Sequence, residues 1–235
     1  MEGKPFIIGI SGGAASGKTT VTEAIKTFLG NKCTLVSMDN FYFDLSPIDQ
    51  ILAETQDFDF DDPQAMDLDS IYELLLELSL NQIAKSPIYD FKTNSKTGEY
   101  FDIRPSPVII IEGIHALYSS KIRQLLNLKI FIDTPENIRF MRKLKRDTTE
   151  RGRSMANVLK QYGKFTKRGY DTFIFPCKQY ADLVIVNETN LDDCCKQILK
   201  KMEEINFARI GDISEIVVKD NIGFEDKKET ILESK

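Results

Sequence analysis

The chain has 235 residues, of which 42% are hydrophobic and 29% charged, as is usual for a globular protein. This length suits one α/β domain with a full-sized core. Its formal net charge of -5 argues against a nucleic-acid-binding surface, and no apolar run approaches the length of a transmembrane helix. We therefore expect neither a nucleic-acid partner nor a membrane partner.

The cysteines form no C-x-x-C pair, and the presence of one histidine in the chain argues against a zinc site. The first apolar stretch has only five residues, which is too short for a signal peptide. We therefore expect reduced thiols and a cytoplasmic location. The cysteines are Cys33, Cys177, Cys194 and Cys195.

The first predicted element is an apolar strand, Phe6–Ile10, and an amphipathic helix follows at Lys18–Leu29. The pattern G-x-x-x-x-G-K-[ST] between a strand and a helix is typical of a phosphate-binding loop (P-loop). Its glycines let backbone N–H groups approach phosphate oxygens, and the helix N-terminus adds its positive dipole end. Lys18 would reach the β- and γ-phosphates of a nucleoside triphosphate, and the Thr19 hydroxyl would ligate Mg²⁺. The candidate nucleotide-binding residues are Gly12, Gly13, Ala14, Ala15, Ser16, Gly17, Lys18, Thr19 and Thr20.

Strands and helices alternate along most of the remaining chain, which predicts a five-stranded parallel sheet with helices on both faces. Pro135 is expected in the first turn of its helix, behind a capping residue. The further predicted strands are Thr34–Ser37, Val108–Ile111, Lys129–Ile132 and Leu183–Val186. The further predicted helices are Leu68–Ala84, Ser119–Leu126, Pro135–Lys145, Ser154–Lys167 and Leu191–Phe207.

One segment interrupts this alternation. Two short extended pieces, Pro87–Phe91 and Glu99–Ile103, flank a polar loop, which predicts an inserted β-hairpin over residues 86–107. A hairpin beside an active site often carries substrate contacts or acts as a lid. Residues 211–235 form a charged C-terminal tail.

Basic residues crowd into fifteen positions that hold only two acids, which indicates a local anion site on an acidic protein. A solvated helix face is the alternative for Arg139, Arg142 and Lys145. The cluster consists of Arg139, Arg142, Lys143, Lys145, Arg146, Arg151 and Arg153.

Two carboxylates follow predicted strands, where ligands bind in open α/β sheets. Asp39 could orient a hydroxyl nucleophile and accept its proton, although an Asx turn would also explain it. Glu112 would hold Mg²⁺ or its waters, the alternative being an ordinary acid at a strand end. The candidate metal site therefore comprises Thr19, Glu112 and Asp39.

The chain resembles the uridine kinase (uridine-cytidine kinase) family over residues 5–206. Members of that family transfer the γ-phosphate of ATP or GTP to the 5′-hydroxyl of uridine or cytidine, and they commonly form homotetramers. The motifs that carry the resemblance are Gly12–Thr19, Ser37–Tyr42, Phe58–Asp67, Pro87–Phe91, Glu112–Ile114, Arg146–Arg153 and Lys178–Asp182.

The resemblance implies a P-loop kinase fold in which residues 1–210 form one nucleoside kinase domain. Residues 139–168 would form an arginine-bearing helical lid. The implied catalytic residues are Asp39, Lys18, Arg146 and Arg151, with Asp39 acting at the 5′-hydroxyl and the arginines on phosphates. Mg²⁺ would accompany the nucleotide.

For the nucleoside, the resemblance implies a carboxylate on the ribose 2′- and 3′-hydroxyls and aromatic side chains at the base. Asp61 matches the carboxylate, and the aromatic residues are Tyr89 and Phe91. Arg153 and Gln161 would contact the nucleoside as well.

The chain departs from the family pattern at several positions. Asn94 stands where a base-contacting histidine is frequent, and its amide could serve either uracil or cytosine. Lys143, near the ribose, replaces a frequent arginine and lacks the bidentate fork. Asp62 and Arg168 also differ from common family residues, and His115 is expected to have no catalytic role.

The sequence-based hypothesis is therefore a uridine/cytidine kinase that produces UMP or CMP in pyrimidine salvage. One alternative is another small-molecule kinase with a P-loop, such as phosphoribulokinase. The other is a nucleotide-binding protein without activity, although Lys18, Thr19, Asp39 and Glu112 together argue against it.

Overall fold

The computed structural model describes residues 4–188 and 191–206. Its main sheet has five parallel strands in the order β2-β5-β1-β6-β7. The central strands consist almost entirely of buried apolar residues because helices cover both of their faces. The strands are β1 (Phe6–Gly12), β2 (Cys33–Ser37), β5 (Val108–Glu112), β6 (Leu128–Asp133) and β7 (Leu183–Val186).

Helices pack on both faces of this sheet, as the alternating pattern predicts, and each face has its own apolar core. One core joins α1 and α8 to the sheet, and the other joins α3 and α4 to the opposite face. The helices are α1 (Lys18–Leu29), α2 (Pro47–Glu54), α3 (Leu68–Ser79), α4 (Ser120–Leu125), α5 (Glu136–Thr149), α6 (Met155–Gln161), α7 (Lys167–Gly169) and α8 (Leu191–Asn206).

A two-stranded antiparallel sheet forms between α3 and β5, in the segment where the sequence predicts a hairpin. Its strands are β3 (Ala84–Asp90) and β4 (Ser95–Ile103), and the pairing shifts register between Pro87 and Tyr89. The hairpin packs against the turn that follows β2, so its tip lies next to the carboxyl end of the main sheet.

The predicted helix Leu68–Ala84 is wrong at its end. Helix α3 stops at Ser79, and Asn81 takes a left-handed conformation with φ of 60° that breaks the helix. Pro135 also lies one position before α5, in extended backbone, and not in the first helical turn.

The predicted helix Ser154–Lys167 continues in a different form. After α6 the chain makes π-helical turns at Tyr162–Thr166 and Tyr170–Ile174, on either side of α7, and then a 3-10 segment at Phe175–Tyr180. π-helical turns inside helices are often found at functional sites. Helix α2 was not predicted, although it has a Ser46 cap and a proline in its first turn.

All four cysteines are buried and unpaired. Three of them, Cys33, Cys194 and Cys195, belong to the core under α1 and α8, whereas Cys177 belongs to the core on the other face. Across the part of the chain that the structure describes, none of the helices combines the length and apolar character that a membrane span requires. Phe207 and the charged tail 211–235 lie outside the described residues.

Candidate active site

A cleft of about 560 Å³ opens at the carboxyl ends of β1, β2 and β5. It brings together predicted residues from separate parts of the sequence. Gly12, Gly13 and Ser16 shape the P-loop but do not line the cleft. The predicted residues that line it are Ala14, Ala15, Gly17, Lys18, Thr19, Thr20, Asp39, Asp61, Tyr89, Phe91, Asn94, Glu112, Lys143, Arg146, Arg151, Arg153 and Gln161.

The P-loop is held by the ends of two neighbouring strands. The Ser16 carbonyl accepts hydrogen bonds from Thr134 Oγ1 at 2.9 Å and from Asn187 Nδ2 at 2.8 Å. Gly17 has a φ of 90°, and a Cβ atom there would collide with the Asn187 amide, so only glycine fits. These contacts fix the loop from behind and leave its cleft side open for an anion.

Lys18 and Thr19 project from the start of α1. The Lys18 Nζ donates to the Gly13 carbonyl at 3.0 Å, and burial lowers the pKa of this amine while Glu112 opposes the change. Thr19 Oγ1 donates to Glu112 Oε1 at 3.2 Å, and Ser37 Oγ donates to the same oxygen at 3.4 Å. Burial raises the pKa of Glu112, with Lys18 opposing.

This donor set fits Mg²⁺, a hard cation that prefers oxygen. Thr19 and Ser37 offer hydroxyls and Glu112 a carboxylate, and the charge of Asp39 acts on Glu112 from the same cleft. The described residues hold no cluster of three or more His, Cys, Asp or Glu side chains suited to a metal. Mg²⁺ that arrives with a nucleotide needs only one or two protein carboxylates, because phosphate and water supply the remaining oxygens.

Asp39 lies in the 3-10 turn Met38–Phe41 that directly follows β2. Its backbone N–H donates to Ser37 Oγ at 3.4 Å, so the serine caps this turn, and the Asx turn considered as an alternative for Asp39 is not formed among the described residues. Within residues 4–188 and 191–206, its carboxylate has no hydrogen-bond or ion-pair partner. The carboxylate therefore remains available to a ligand in the cleft.

Asp61 is a buried carboxylate that lines the same cleft as the aromatic residues Tyr42, Phe60 and Tyr89. Its Oδ2 accepts from Thr166 Oγ1 at 2.9 Å, and burial raises its pKa, while the Lys143 ammonium opposes this. The rings of Tyr42 and Tyr89 lie 5.5 Å apart, and those of Tyr42 and Phe60 5.8 Å apart. This part of the cleft combines a hydrogen-bond acceptor with flat apolar surface.

The basic cluster is only partly as expected. Lys145 is exposed, but Arg139 is 3% exposed, with its guanidinium 3.7 Å from the Tyr170 ring centroid and its Nε donating to the Thr134 carbonyl. Arg142 lines the cleft and donates to the Asn187 and Glu188 carbonyls. The solvated-face alternative is therefore wrong for these two arginines.

Two arginines of the cluster connect different segments that line the cleft. Arg153 donates to Gln161 Oε1 at 2.8 Å, which joins the end of α6 to the segment after α5. The Arg151 guanidinium lies 5.3 Å from the centroid of the Phe91 ring on the hairpin. The hairpin and the arginine segment thus meet across the cleft.

Several residues that line the cleft were not predicted. Four of them lie next to predicted residues within the same motifs, so their neighbours carried the signal: Ser37, Asn40, Tyr42 and Phe60. The full set of unpredicted lining residues is Ser37, Asn40, Tyr42, Phe60, Ile114, Arg142 and Glu150.

Two positions that depart from the family pattern, Asp62 and Arg168, have structural roles. Asp62 Oδ1 accepts from the Gln64 N–H, and Arg168 pairs with Asp59.

His115 is buried directly behind Asp61. Its Nε2 donates to the Asp61 carbonyl at 3.0 Å, and its Nδ1 is buried with no partner among the described residues. Burial lowers the pKa of this imidazole to about 4. The histidine supports the loop of Asp61 from outside the cleft.

Acid should therefore destabilise the fold through His115. The folded state keeps the imidazole neutral down to about pH 4, whereas the unfolded chain binds a proton near pH 6.5. Between these two pH values unfolding takes up a proton, and the loss in the free energy of unfolding approaches about 3 kcal/mol near pH 4. Urea unfolding of the wild type and of His115→Leu at several pH values measures this loss. A stability difference between them that does not change from pH 7 to pH 4.5 would contradict this origin.

Comparisons with known proteins agree with the geometry. Residues 7–192 match the model of the "Phosphoribulokinase / Uridine kinase family". A uridine kinase from Borrelia duttonii is 43% identical over 179 residues, covering 76% of this chain and 85% of the relative. The uridine/cytidine kinase UKL1, chloroplastic, from Arabidopsis thaliana is 44% identical over 213 residues, which cover 88% of this chain. The chain spans less than half the length of such Arabidopsis relatives.

Solved structures support the fold. Phosphoribulokinase from Rhodobacter spheroides superposes with a TM-score of 0.58 at 19% identity, covering 82% of this chain and 74% of that one. A possible uridine kinase from Bacillus stearothermophilus gives a TM-score of 0.51 at 18% identity, covering 79% and 90%. The predicted α/β fold with a five-stranded parallel sheet is confirmed. From the family match and the identity of its relatives, the chain belongs to the phosphoribulokinase/uridine kinase family.

Proposed function

We propose that this protein is a uridine/cytidine kinase, which transfers the γ-phosphate of ATP or GTP to the nucleoside 5′-hydroxyl. The observation that carries the proposal is the position of Asp61. This buried carboxylate shares one cleft with the P-loop and with the aromatic residues Tyr42, Phe60 and Tyr89. A ribose diol and a planar base match that combination of acceptor and flat apolar surface.

In the proposed mechanism, the Asp39 carboxylate accepts the 5′-hydroxyl proton as the oxygen attacks the γ-phosphorus. Asp39 is suited to this role because no protein group among the described residues occupies its oxygens. Lys18, Arg146 and Arg151 face the cleft and neutralise the charge that develops on the transferred phosphoryl group. Bound Mg²⁺, held by Thr19 and Glu112, would supply further charge neutralisation at the phosphates.

The same residues argue against a sugar-phosphate acceptor. A substrate such as ribulose 5-phosphate would bring its own negative charge toward buried Asp61, where like charges repel. An aromatic pocket would also find no flat partner in an open-chain sugar. The nucleoside is therefore the better match.

A substrate panel tests the proposal directly. ADP or GDP release is measured with uridine, cytidine and ribulose 5-phosphate, each with ATP or GTP and with or without Mg²⁺. We expect turnover with the two nucleosides that requires Mg²⁺. Turnover with ribulose 5-phosphate alone would overturn the choice of acceptor, and nucleotide binding without any turnover would favour a non-catalytic protein.

Asn94 should allow both bases. It lines the cleft at the hairpin turn, where its φ of 50° suits asparagine, and its amide offers both a donor and an acceptor. Uridine and cytidine should therefore differ in kcat/KM by less than about a hundredfold. Asn94→Asp keeps only acceptors and should shift preference toward cytidine, which presents an amino group, by about tenfold or more.

Competition assays with mixed nucleosides measure this preference, and Asn31→Asp is the control because Asn31 is exposed and outside the cleft. An Asn94→Asp variant with the wild-type preference would remove Asn94 from base recognition.

We further propose that the chain acts in pyrimidine salvage as a cytoplasmic homotetramer. The unpaired state of all four cysteines supports a reducing compartment, and the assembly rests on family resemblance. Residues 1–210 would form one kinase domain, with the hairpin 86–107 covering the base and residues 139–168 closing as a lid over the phosphates. Arg151 beside the Phe91 ring supports this closure, since it joins the two segments.

A further inference from the structure

Asp147 lies within the predicted lid but was assigned no role of its own, and it stands at the centre of four cationic residues that line the cleft. It is in the last turns of α5 and is completely buried, with 0% exposure. Four cationic side chains surround its carboxylate. The distances to it are 2.8 Å from Lys143 Nζ, 2.8 Å from Arg146 NH2, 3.7 Å from Arg151 NH1 and 3.9 Å from Arg153 NH1.

The two carboxylate oxygens divide these cations into pairs. Oδ1 contacts Arg146 and Arg151, whereas Oδ2 contacts Lys143 and Arg153. The Oδ1 pair is the one proposed to act on phosphates. The Oδ2 pair consists of the two residues proposed to act on the nucleoside.

One hydrogen bond and one charge interaction support this division. Arg153 donates to Gln161 Oε1 at 2.8 Å, and the charge of Lys143 acts on buried Asp61. Lys143 and Arg153, the two cations on Oδ2, therefore both interact with residues of the proposed ribose region.

Charge explains why such a centre is needed. Four like charges in one cleft repel one another, and without an anion among them the flexible side chains would separate. Burial alone would raise the pKa of Asp147, but Lys143 and Arg146 hold it below its usual value, so the carboxylate is ionised. Its single charge leaves the cluster with an excess of positive charge, which remains available to phosphates.

We propose that Asp147 is a positioning residue that places the phosphate-side cations with one carboxylate oxygen and the nucleoside-side cations with the other. It thereby aligns donor and acceptor relative to each other without touching either substrate. The proposal rests on the proposed kinase function, in that the cations are assigned to those two substrates.

The substitution Asp147→Asn tests this. The amide keeps one acceptor oxygen and turns an NH₂ group toward one pair of cations, so one pair should lose its geometry. Displacements of about 1 Å can cost about 10²-fold in rate, and we expect kcat to fall by about that factor and the nucleoside KM to rise about tenfold. ATP binding should stay at one site per chain.

A matched control is Asp182→Asn. Asp182 also contacts a lysine, Lys129, at 2.9 Å, but it does so at the amino end of β7, away from the cleft. This variant should retain wild-type kcat and KM.

A second variant covers the case in which Asp147→Asn does not fold. Asp147→Glu keeps the charge but displaces it by one carbon, so stability should be largely kept while kcat still falls about tenfold or more. Wild-type kcat and KM in Asp147→Glu would overturn the proposal. So would a loss of ATP-competent chains in Asp147→Asn with unchanged kcat and KM per competent chain, because that pattern denotes a purely structural role.

Failure of the underlying function gives a different result. If the wild type phosphorylates ribulose 5-phosphate instead of nucleosides, the proposed function is wrong, yet the Asp147 variants are still compared with the wild type on that acceptor. The positioning role and the identity of the acceptor are thus judged separately.

Discussion

Replacing Asp39 by asparagine should lower kcat by about 10³-fold while leaving ATP affinity within a few-fold of the wild type. The asparagine amide has nearly the shape of the carboxylate but cannot accept the 5′-hydroxyl proton. The turn that carries it should persist, because the backbone N–H of residue 39, and not its side chain, donates to Ser37 Oγ. A loss of turnover with intact nucleotide binding separates a role in chemistry from a role in folding.

Single-turnover rates and ATP titrations measure the two quantities independently. Asp67→Asn serves as the control, since Asp67 caps α3 outside the cleft and asparagine is an equally good cap. An Asp39→Asn enzyme with kcat within tenfold of the wild type would show that another group takes the proton.

Replacing Asp61 by asparagine should lower kcat/KM for uridine by about 10²- to 10³-fold with ATP affinity unchanged. Hydrogen bonds to a charged group are worth about 1.5–3 kcal/mol each, and the buried carboxylate is proposed to accept from two ribose hydroxyls. The amide oxygen can still accept from Thr166 Oγ1, so the internal bond survives. The loss should therefore reflect the substrate.

A deoxynucleoside sharpens this test. In the wild type, 2′-deoxyuridine lacks one of the two hydroxyls and should react less well than uridine. In Asp61→Asn this difference should shrink several-fold, because the group that senses the hydroxyl is impaired. Asp62→Asn is the control, since Asp62 lies next in sequence but outside the cleft. An undiminished preference for uridine in Asp61→Asn would rule out Asp61 as the ribose acceptor.

The sequence predicted the main sheet because its strands are short apolar runs between helical patterns, and the three central strands are largely buried on both faces. It predicted the P-loop for a related reason: a loop that wraps phosphate needs glycine at positions such as Gly17, where any side chain meets Asn187. Where local chemistry dictates the residue type, the sequence is informative.

Features that depend on tertiary contacts were not predicted. Nothing in the sequence around Asp147 distinguishes a buried carboxylate from an exposed partner of nearby arginines, because its burial depends on segments that follow α5. A solvated helix face stayed open as the alternative for Arg139 for the same reason, since the Tyr170 ring that covers it lies thirty-one positions further along. The end of α3 is a different case, because Asn81 gives only a weak stop signal.

The distribution of the thiols has a practical consequence for following the motions of this molecule. A buried thiol reacts with an alkylating reagent only when the structure around it opens. Cys33, Cys194 and Cys195 report on the layer that carries the P-loop helix, and Cys177 reports on the layer beside the hairpin. The chain therefore contains separate thiol reporters for its two layers. Their labelling rates compare how often each layer opens as nucleotide or nucleoside is added.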